Sequence, residues 1–293
     1  MVKIGILTRN PEAWCSMNLI KAFEKLGAEP VCLRFSRLVA KVGIKPAVLH
    51  EDIDVLKELG AVVIRPIGRG SLDECIFRMD VLHRLTRLGF PVINHPSAIE
   101  KCIDKFYALT ILEEHNIPVP RTVVTENAKE ALKAFHELGG DVVIKPLFGS
   151  RGVGITRVSD PEIATRIFRA LQFTHNVLYI QEFIPHGTRD IRAFVINEEV
   201  IASMYREGRS WKTNVAQGAI PKALKLMEEA EEIAIKAAKV VGCEIAGVDI
   251  LEGPNGLRVV EINSQPGWRG IQTVTKVNIA EAIAKYVIEK AKK

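Results

Sequence analysis

The sequence predicts a small parallel α/β unit followed by α+β sheets, and three observations carry that expectation. The first third alternates short apolar runs with helix-spaced segments in a βαβ rhythm. The last third opens on successive strand-like runs and ends in a hairpin pattern before a closing helix. Hydrophobic residues make up 47% of the 293 residues and charged ones 26%, an ordinary globular balance with ample material for a core.

The elements follow in order. Val2–Thr8 reads as a strand ending in a turn at Asn10-Pro11, Glu12–Leu26 as a helix stopped by Gly27, and Pro30–Phe35 as a strand. Val62–Ile64 is a further strand, halted by Pro66 and Gly68. Leu72–Leu88 is helical up to Gly89, and Pro91–Ile93 is extended again. Pro96–Lys101 and Lys105–His115 read as helices, and Thr122–Thr125 as a strand. Ala128–Leu138 is a helix with Asn127 as its cap and Gly139-Gly140 at its end. Val142–Pro146 and Ile155–Val158 are strands flanking a glycine-rich loop, Phe148–Gly154. Leu178–Gln181, Asp190–Val195 and Val200–Tyr205 are strands, followed by a polar loop over Arg206–Ile220. Lys222–Val241 reads as one amphipathic helix closed by Gly242. Ile245–Leu251 and Leu257–Ile262 pair around Gly253-Pro254-Asn255-Gly256, and Ile279–Ala291 is the last helix. Three units are expected, at 1–93, 94–176 and 177–293.

Charge and composition exclude several classes. The formal charge of +5 is mild, and its cations are scattered among acids, so nucleic acid is not an expected partner. No apolar run reaches 18 residues, and the first ten residues read as a strand, so neither a membrane span nor a signal peptide is expected. The five cysteines form no C-x-x-C pair, which favours a reducing cytoplasm over a disulfide framework or a zinc site. No G-x-G-x-x-G follows the first strand, which disfavours a dinucleotide site.

Chemistry concentrates in four places. Lys145 ends a strand just before the loop with Gly149, Ser150, Gly152 and Gly154. Glycines let backbone N–H groups approach a polyanion, although a plain glycine turn would look the same. The lysine precedes the glycines and a strand follows them, so this is not a Walker loop. Asp249 on one strand and Glu261 and Asn263 on the next supply three hard oxygen ligands that suit magnesium. Glu261 and Asn263, two apart, share a face. The alternative is an exposed polar sheet face. Gln181, Glu182, Phe183 and Ile184 run from a strand into irregular chain whose backbone could meet an adenine edge. Arg189 and Arg192, either side of Asp190 in R-D-I-R, with Arg206 and Lys212, offer cations for phosphates or carboxylates.

Together with Lys105 in I-D-K, these motifs and the run E-I-N-S-Q-P-G-W-R-G resemble the ATP-grasp superfamily, and within it the RimK-like amino-acid ligases, from Lys3 to about Tyr286. The resemblance implies an ATP-grasp fold behind a pre-ATP-grasp domain. It implies an ATP-dependent ligase that makes an amide through an acyl-phosphate, with L-glutamate as the amine. By position it assigns Lys105, Lys145 and the glycine loop to ATP phosphates, Gln181–Ile184 to adenine, and Asp190 to ribose. Lys212 and Asn214 join the ATP set. Asp249, Glu261 and Asn263 would hold two Mg²⁺ ions, with Mn²⁺ as a substitute, and Arg192 and Arg206 would sit at the transferred phosphate or substrate carboxylates. The loop carries Lys212-Thr213-Asn214 and Gln217-Gly218-Ala219 where the ribosomal-protein-modifying type tends to carry Arg-Ser-Asn and Arg-Gly-Gly. The stretch Pro266–Gln272 resembles the branch whose acceptors are pterin or deazaflavin cofactors. A homo-oligomer, dimer or tetramer, is also implied. The competing readings are a protein C-terminus as acceptor, or a regulatory ATP-binding protein without turnover.

Overall fold

The computed structural model describes every residue except Arg69, Ser150, Arg151 and Lys293. The chain begins with β1 (Lys3–Leu7), α1 (Trp14–Lys25) and β2 (Glu29–Leu33). A small antiparallel sheet of β3 (Leu38–Ala40), β4 (Val48–His50) and β5 (Ile53–Asp54) comes next, then α2 (Val55–Glu58), β6 (Ala61–Ile64), α3 (Leu72–Arg87) and β7 (Val92–Ile93). The main sheet has the order β2-β1-β6-β7 and is all parallel, as the βαβ rhythm requires. Its central strands are covered on both faces. Ile4 and Ile6 of β1 enter one core while Leu7 enters the other, following the two-residue period of a strand. Helix α3 starts on a capping box in which Ser71 and Glu74 exchange side-chain and backbone bonds. The three short strands β3–β5 are a feature the sequence analysis does not identify, because runs of two or three residues carry no readable alternation.

The middle of the chain holds α4 (Pro96–Ile103), α5 (Lys105–Glu114), β8 (Thr122–Thr125), α6 (Ala128–Glu137), β9 (Val142–Lys145), β10 (Thr156–Val158), α7 (Pro161–Phe173) and β11 (Leu178–Glu182). The sheet order is β10-β9-β11-β8, antiparallel throughout, with α6 and α7 packed on it. The strand β11, assigned above to the unit beginning at 177, pairs with β8 and β9. The central sheet therefore extends to Glu182, because β11 fills the gap between them.

The last part holds β12 (Arg189–Ile196), β13 (Glu199–Glu207), β14 (Ile220–Ala223), α8 (Glu228–Val241), β15 (Ile245–Gly253), β16 (Gly256–Asn263), α9 (Arg269–Gln272) and α10 (Ile279–Lys290). The antiparallel order is β14-β13-β12-β15-β16. The helix expected over Lys222–Val241 begins six residues later. Pro221 and its neighbours pair with β13 as an edge strand, and Leu224 and Leu226 pack on the core from the irregular chain that follows. The true start carries Glu228, Glu229 and Glu231 in its first turn, matching the positive end of the helix dipole.

This sheet's two faces differ in kind. Ile191, Ala193, Val195, Ala246, Val248 and Ile250 all point to α8. On the other face, Phe194, Ile196, Ala202, Met204 and Ile245 join a core with α1, α10 and the N-terminal sheet. Further along the same strands that face turns polar, at Asp190, Arg192, Arg206, Asp249, Glu261 and Asn263. The charged floor begins where the apolar packing of the N-terminal unit ends.

Candidate active site

The floor is built by cross-strand pairing. Asp190 stands opposite Arg206, Arg192 opposite Asp249, and Asp249 opposite Glu261. Arg206 donates through Nε and Nη2 to the two oxygens of Asp190, at 2.7 and 2.5 Å, a bidentate fork. Thr213 donates a third bond to Asp190 at 2.7 Å. The second contact of Arg206 is Asp249 Oδ2 at 3.1 Å, and Arg192 Nε lies 2.8 Å from Asp249 Oδ1. Burial pushes the Asp190 carboxyl up, and Arg206 pulls it back. Burial works against the charge on Arg206, yet Asp249 and Asp190 outweigh it and raise the guanidinium pKa. Burial lowers the pKa of Arg192, against the pull of Asp249. Both oxygens of Asp190 are thus engaged inside the protein, where they fix Arg206, although the residue still lines the cleft.

Across the cleft stand Lys145, at the end of β9, and Lys105, in the first turn of α5. Lys145 Nζ donates to Gln181 Oε1 at 2.6 Å, and Gln181 Nε2 donates to Thr122 at 2.9 Å, so a buried amide aims the lysine. Burial lowers the Lys145 pKa to about 8, helped by Lys105 and opposed by Glu261 and Asp249. Lys105 is lowered by burial and supported by Glu261 and Asp104, and it donates to the carbonyls of Leu147 and Gly149 at 3.4 and 2.9 Å. The two lysines and Glu261 therefore sense one another across the gap.

The glycine loop lies above. Gly152 and Gly154 have φ of +72° and +80°, which non-glycine residues rarely adopt. A Cβ at Gly152 would lie 2.3 Å from Asn214 Oδ1, so the loop meets the 211–217 segment closely. Ser150 lies outside the described residues. At the far end, the Phe183 ring has the Arg157 guanidinium 3.5 Å from its centroid and the Trp211 ring edge-on at 5.9 Å. Arg121 holds the Glu182 carboxylate through its backbone N–H and Nε, at 2.9 and 2.7 Å.

These parts enclose an open cleft of about 900 Å³, its mouth included. It is lined by Lys105, Lys145, Gly149, Gly152, the Gln181–Ile184 run, Asp190, Arg206, Lys212, Asn214, Asp249 and Glu261, as the sequence analysis expects. Three expected residues do not line it. Gly154 falls outside, and Arg192 sits behind Asp249 with its Nη1 against Gly247 and Pro266. Asn263 faces Gly247 across the sheet. Sequence reasoning misses Trp211, Thr213 and His186. They lie in irregular chain whose positions depend on contacts with distant strands, although an aromatic beside Lys212 was a usable hint.

The metal-binding expectation can be tested on the donors themselves. No group of three His, Cys, Asp or Glu side chains forms a metal cluster among the described residues. The set here is two carboxylates and an amide. The Glu261 carboxylate makes no ion pair among the described residues and the buried Asn263 Nδ2 lacks a hydrogen-bond partner, whereas both oxygens of Asp249 are ion-paired, with Arg192 and Arg206. Exchanging the two ends of the Asn263 amide would present its oxygen instead. The unpaired Glu261 carboxylate, with the Asn263 amide oxygen and Asp249 beside it, is a hard-oxygen donor set that fits a magnesium ion.

Comparison with known proteins agrees with this geometry. The RimK PreATP-grasp domain profile matches residues 2–99 and the RimK-like ATP-grasp domain profile matches residues 102–287. A tetrahydromethanopterin:alpha-L-glutamate ligase of Methanocaldococcus jannaschii is 38% identical, covering 99% of this chain and 100% of that protein. A ligase of the same name from Methanosarcina acetivorans is 36% identical, over 98% and 99%. Among solved structures, the ATP-grasp ligase PsnB with minimal precursor, Mg and ADP superposes with a TM-score of 0.78 at 21% identity, over 99% of this chain and 98% of that one. The RimK domain protein of Sphaerobacter thermophilus gives 0.77 at 21% identity, over 98% and 100%. The chain belongs to the RimK-like ATP-grasp family and is an ATP-dependent ligase.

Proposed function

We propose that this enzyme joins L-glutamate to the carboxylate of a small cofactor, a reduced pterin of the tetrahydromethanopterin type being the first candidate, at the expense of ATP. The observation that carries the chemistry is the facing of two lysines, Lys105 and Lys145, against a floor where Arg206 is held by Asp190 and Asp249. The choice of substrates rests on the whole-length similarity to the methanogen ligases.

In this reading Lys145, aimed by Gln181, and Lys105 bind the phosphate tail of ATP. The acceptor carboxylate attacks the γ-phosphorus, and ADP leaves. Arg206, fixed by Asp190 and Asp249, orients that carboxylate, and Arg192 behind Asp249 adds positive charge to the floor as the acyl-phosphate forms. A Mg²⁺ ion on Asp249, Glu261 and Asn263 would supply further charge neutralisation at the phosphate oxygens when bound. The glutamate α-amine then forms the C–N bond and inorganic phosphate leaves. The glycine loop, meeting the Asn214 segment, excludes water that would hydrolyse the intermediate. No helix among the described residues is long and apolar enough to cross a membrane, and a cytoplasmic homo-oligomer completes the proposal.

The test is ADP release with Mg²⁺, measured with tetrahydromethanopterin, a deazaflavin or an acidic peptide as acceptor, each with and without glutamate. ADP and an amide product are expected only when the pterin and glutamate are both present. Turnover on the peptide alone would overturn the choice of acceptor, and turnover with another amino acid would overturn the choice of amine.

A further inference from the structure

Two cysteines that the ligase chemistry does not use lie in contact behind the site. Cys102 is in the last turn of α4 and Cys243 is in the turn from α8 into β15, and their sulfurs are 3.5 Å apart. The contact is broader than one atom pair. Ala98, one helical turn before Cys102 and on its face, stands where a Cβ on Gly242 would lie 3.9 Å from it. Helix and turn are therefore backed against each other along two residues each. Cys243 is 7% exposed and Cys102 is half-buried, so an external reagent reaches Cys102 first.

We propose that Cys102 and Cys243 form a dithiol–disulfide site, oxidised by low-molecular-weight disulfides, that staples the Lys105-bearing part of the chain to the strand carrying Asp249. Cys102 lies three residues before Lys105, and Cys243 six before Asp249. The reaction is two exchanges. The Cys102 thiolate attacks a sulfur of the external disulfide, forming a mixed disulfide and expelling one thiolate. The Cys243 thiolate then attacks Cys102 Sγ, closing the bond and expelling the second. Two protein thiols and one external disulfide become one protein disulfide and two small thiols, and each proton lost by the protein is taken up by a leaving thiolate. In the reduced protein the Cys243 thiol is pushed well up by its hydrogen bond with Cys102 and by burial, so the exchange is best followed at mildly alkaline pH.

Sequence spacing hides this pair because the partners are 141 positions apart. That separation also makes the cross-link effective, since closing a long loop removes much of the unfolded chain's freedom. On a chain of this size a rise in Tm of roughly 3–8 °C is expected.

The experiment takes the full chain, reduces it, removes the reductant and incubates it with oxidised glutathione. Intact mass, peptide mapping and thiol titration in denaturant are then read. The expected result is a loss of two hydrogens, a fall from five titratable thiols to three, and a Cys102–Cys243 cross-linked peptide. The Tm should rise in the unmodified chain and fall back on reduction. Cys102→Ala and Cys243→Ala should each abolish that response. A stable glutathione adduct on Cys102 with Cys243 still free, five unchanged thiols, or a cross-link between other cysteines would each overturn the proposal. These readouts do not depend on ligase turnover, so they stand or fall separately from the assignment of glutamate and pterin.

Discussion

Lys145 carries the clearest single-residue consequence. Its pKa of about 8 lies below the ordinary lysine value of 10.5. Between those two values the unfolded chain keeps a proton that the folded chain has released, so this residue makes stability rise with pH across that window. Below about pH 8 both states are protonated and the cost of the buried charge is fully present. The same titration governs binding, because phosphate needs the ammonium form. In the ligand-free protein, ¹³C-lysine NMR should show one resonance titrating near pH 8, absent in Lys145→Ala and moved upward by ATP. A midpoint near 10.5 would refute the burial argument. Removal of the charge at Lys145, or of the carboxylate at Glu261, should each cost roughly 2–4 kcal/mol in kcat/KM, by analogy with losing one charge-stabilising group. Wild-type kcat/KM in both alanine variants would refute the site. Both residues were legible in the sequence, because a lysine before a glycine run and acids in apolar strands are local signals. The engagement of Asp190 by Arg206 and Thr213 was not, since strand register alone puts 190 opposite 206.

At the scale of elements, the glycine loop and the 211–217 segment act as two lips. Alanine at Gly152 would hold a side chain at φ +72° and press its Cβ to 2.3 Å from Asn214 Oδ1. The left-handed backbone alone costs roughly 1–2 kcal/mol, and the contact is relieved when the Asn214 and Gln217 side-chain ends turn away or the loop lifts. Gly152→Ala should therefore lower Tm by only a few degrees, lower kcat/KM for ATP at least tenfold, and release more than one ADP per amide as water reaches the intermediate. One ADP per amide at the wild-type rate would show that the lips need not meet. Elements with strong boundaries were readable from sequence, such as α3 between Ser71 and Gly89. Helix α7 was equally signalled, by Asp160 as cap and Pro161 at the first position, yet the sequence analysis does not identify it. The start of α8 failed for a different reason. Leu224 and Leu226 sit at a spacing of two that continues β14, and only the pairing of that edge strand with β13 settles which period applies.

For the whole molecule, the decisive contact is the seam that joins the first and last units. Asn94 follows β7, yet its side-chain hydrogen bonds cross to the C-terminal part. Its Oδ1 accepts from the backbone N–H groups of Glu244 and Ile245, both at 2.8 Å, and its Nδ2 donates to the carbonyls of Ile245 and Ser264. Arg65, from the end of β6 and only 6% exposed, donates to Pro266 O at 3.1 Å and lies over the Trp268 ring at 4.6 Å. Both contacts seize the segment that runs on from Glu261 and Asn263, so the N-terminal sheet holds the strand carrying those two residues in place from behind. Asn94→Ala would leave two N–H groups and two carbonyls buried without partners, at about 1–3 kcal/mol for each group that no water reaches. Urea unfolding should show a loss of at least about 2 kcal/mol. The variant that stays folded should also bind Mg²⁺-ATP more weakly, although Asn94 touches neither the cleft nor its carboxylates. Asn94→Asp separates packing from bonding, since it keeps the acceptor for Glu244 and Ile245 but loses the donors to Ile245 and Ser264. Intermediate stability is expected for it. Equal stability of all three proteins would mean that the apolar core of Ile4, Phe23, Ile283 and Trp268 alone holds the units together, and that the seam exerts no control over the site.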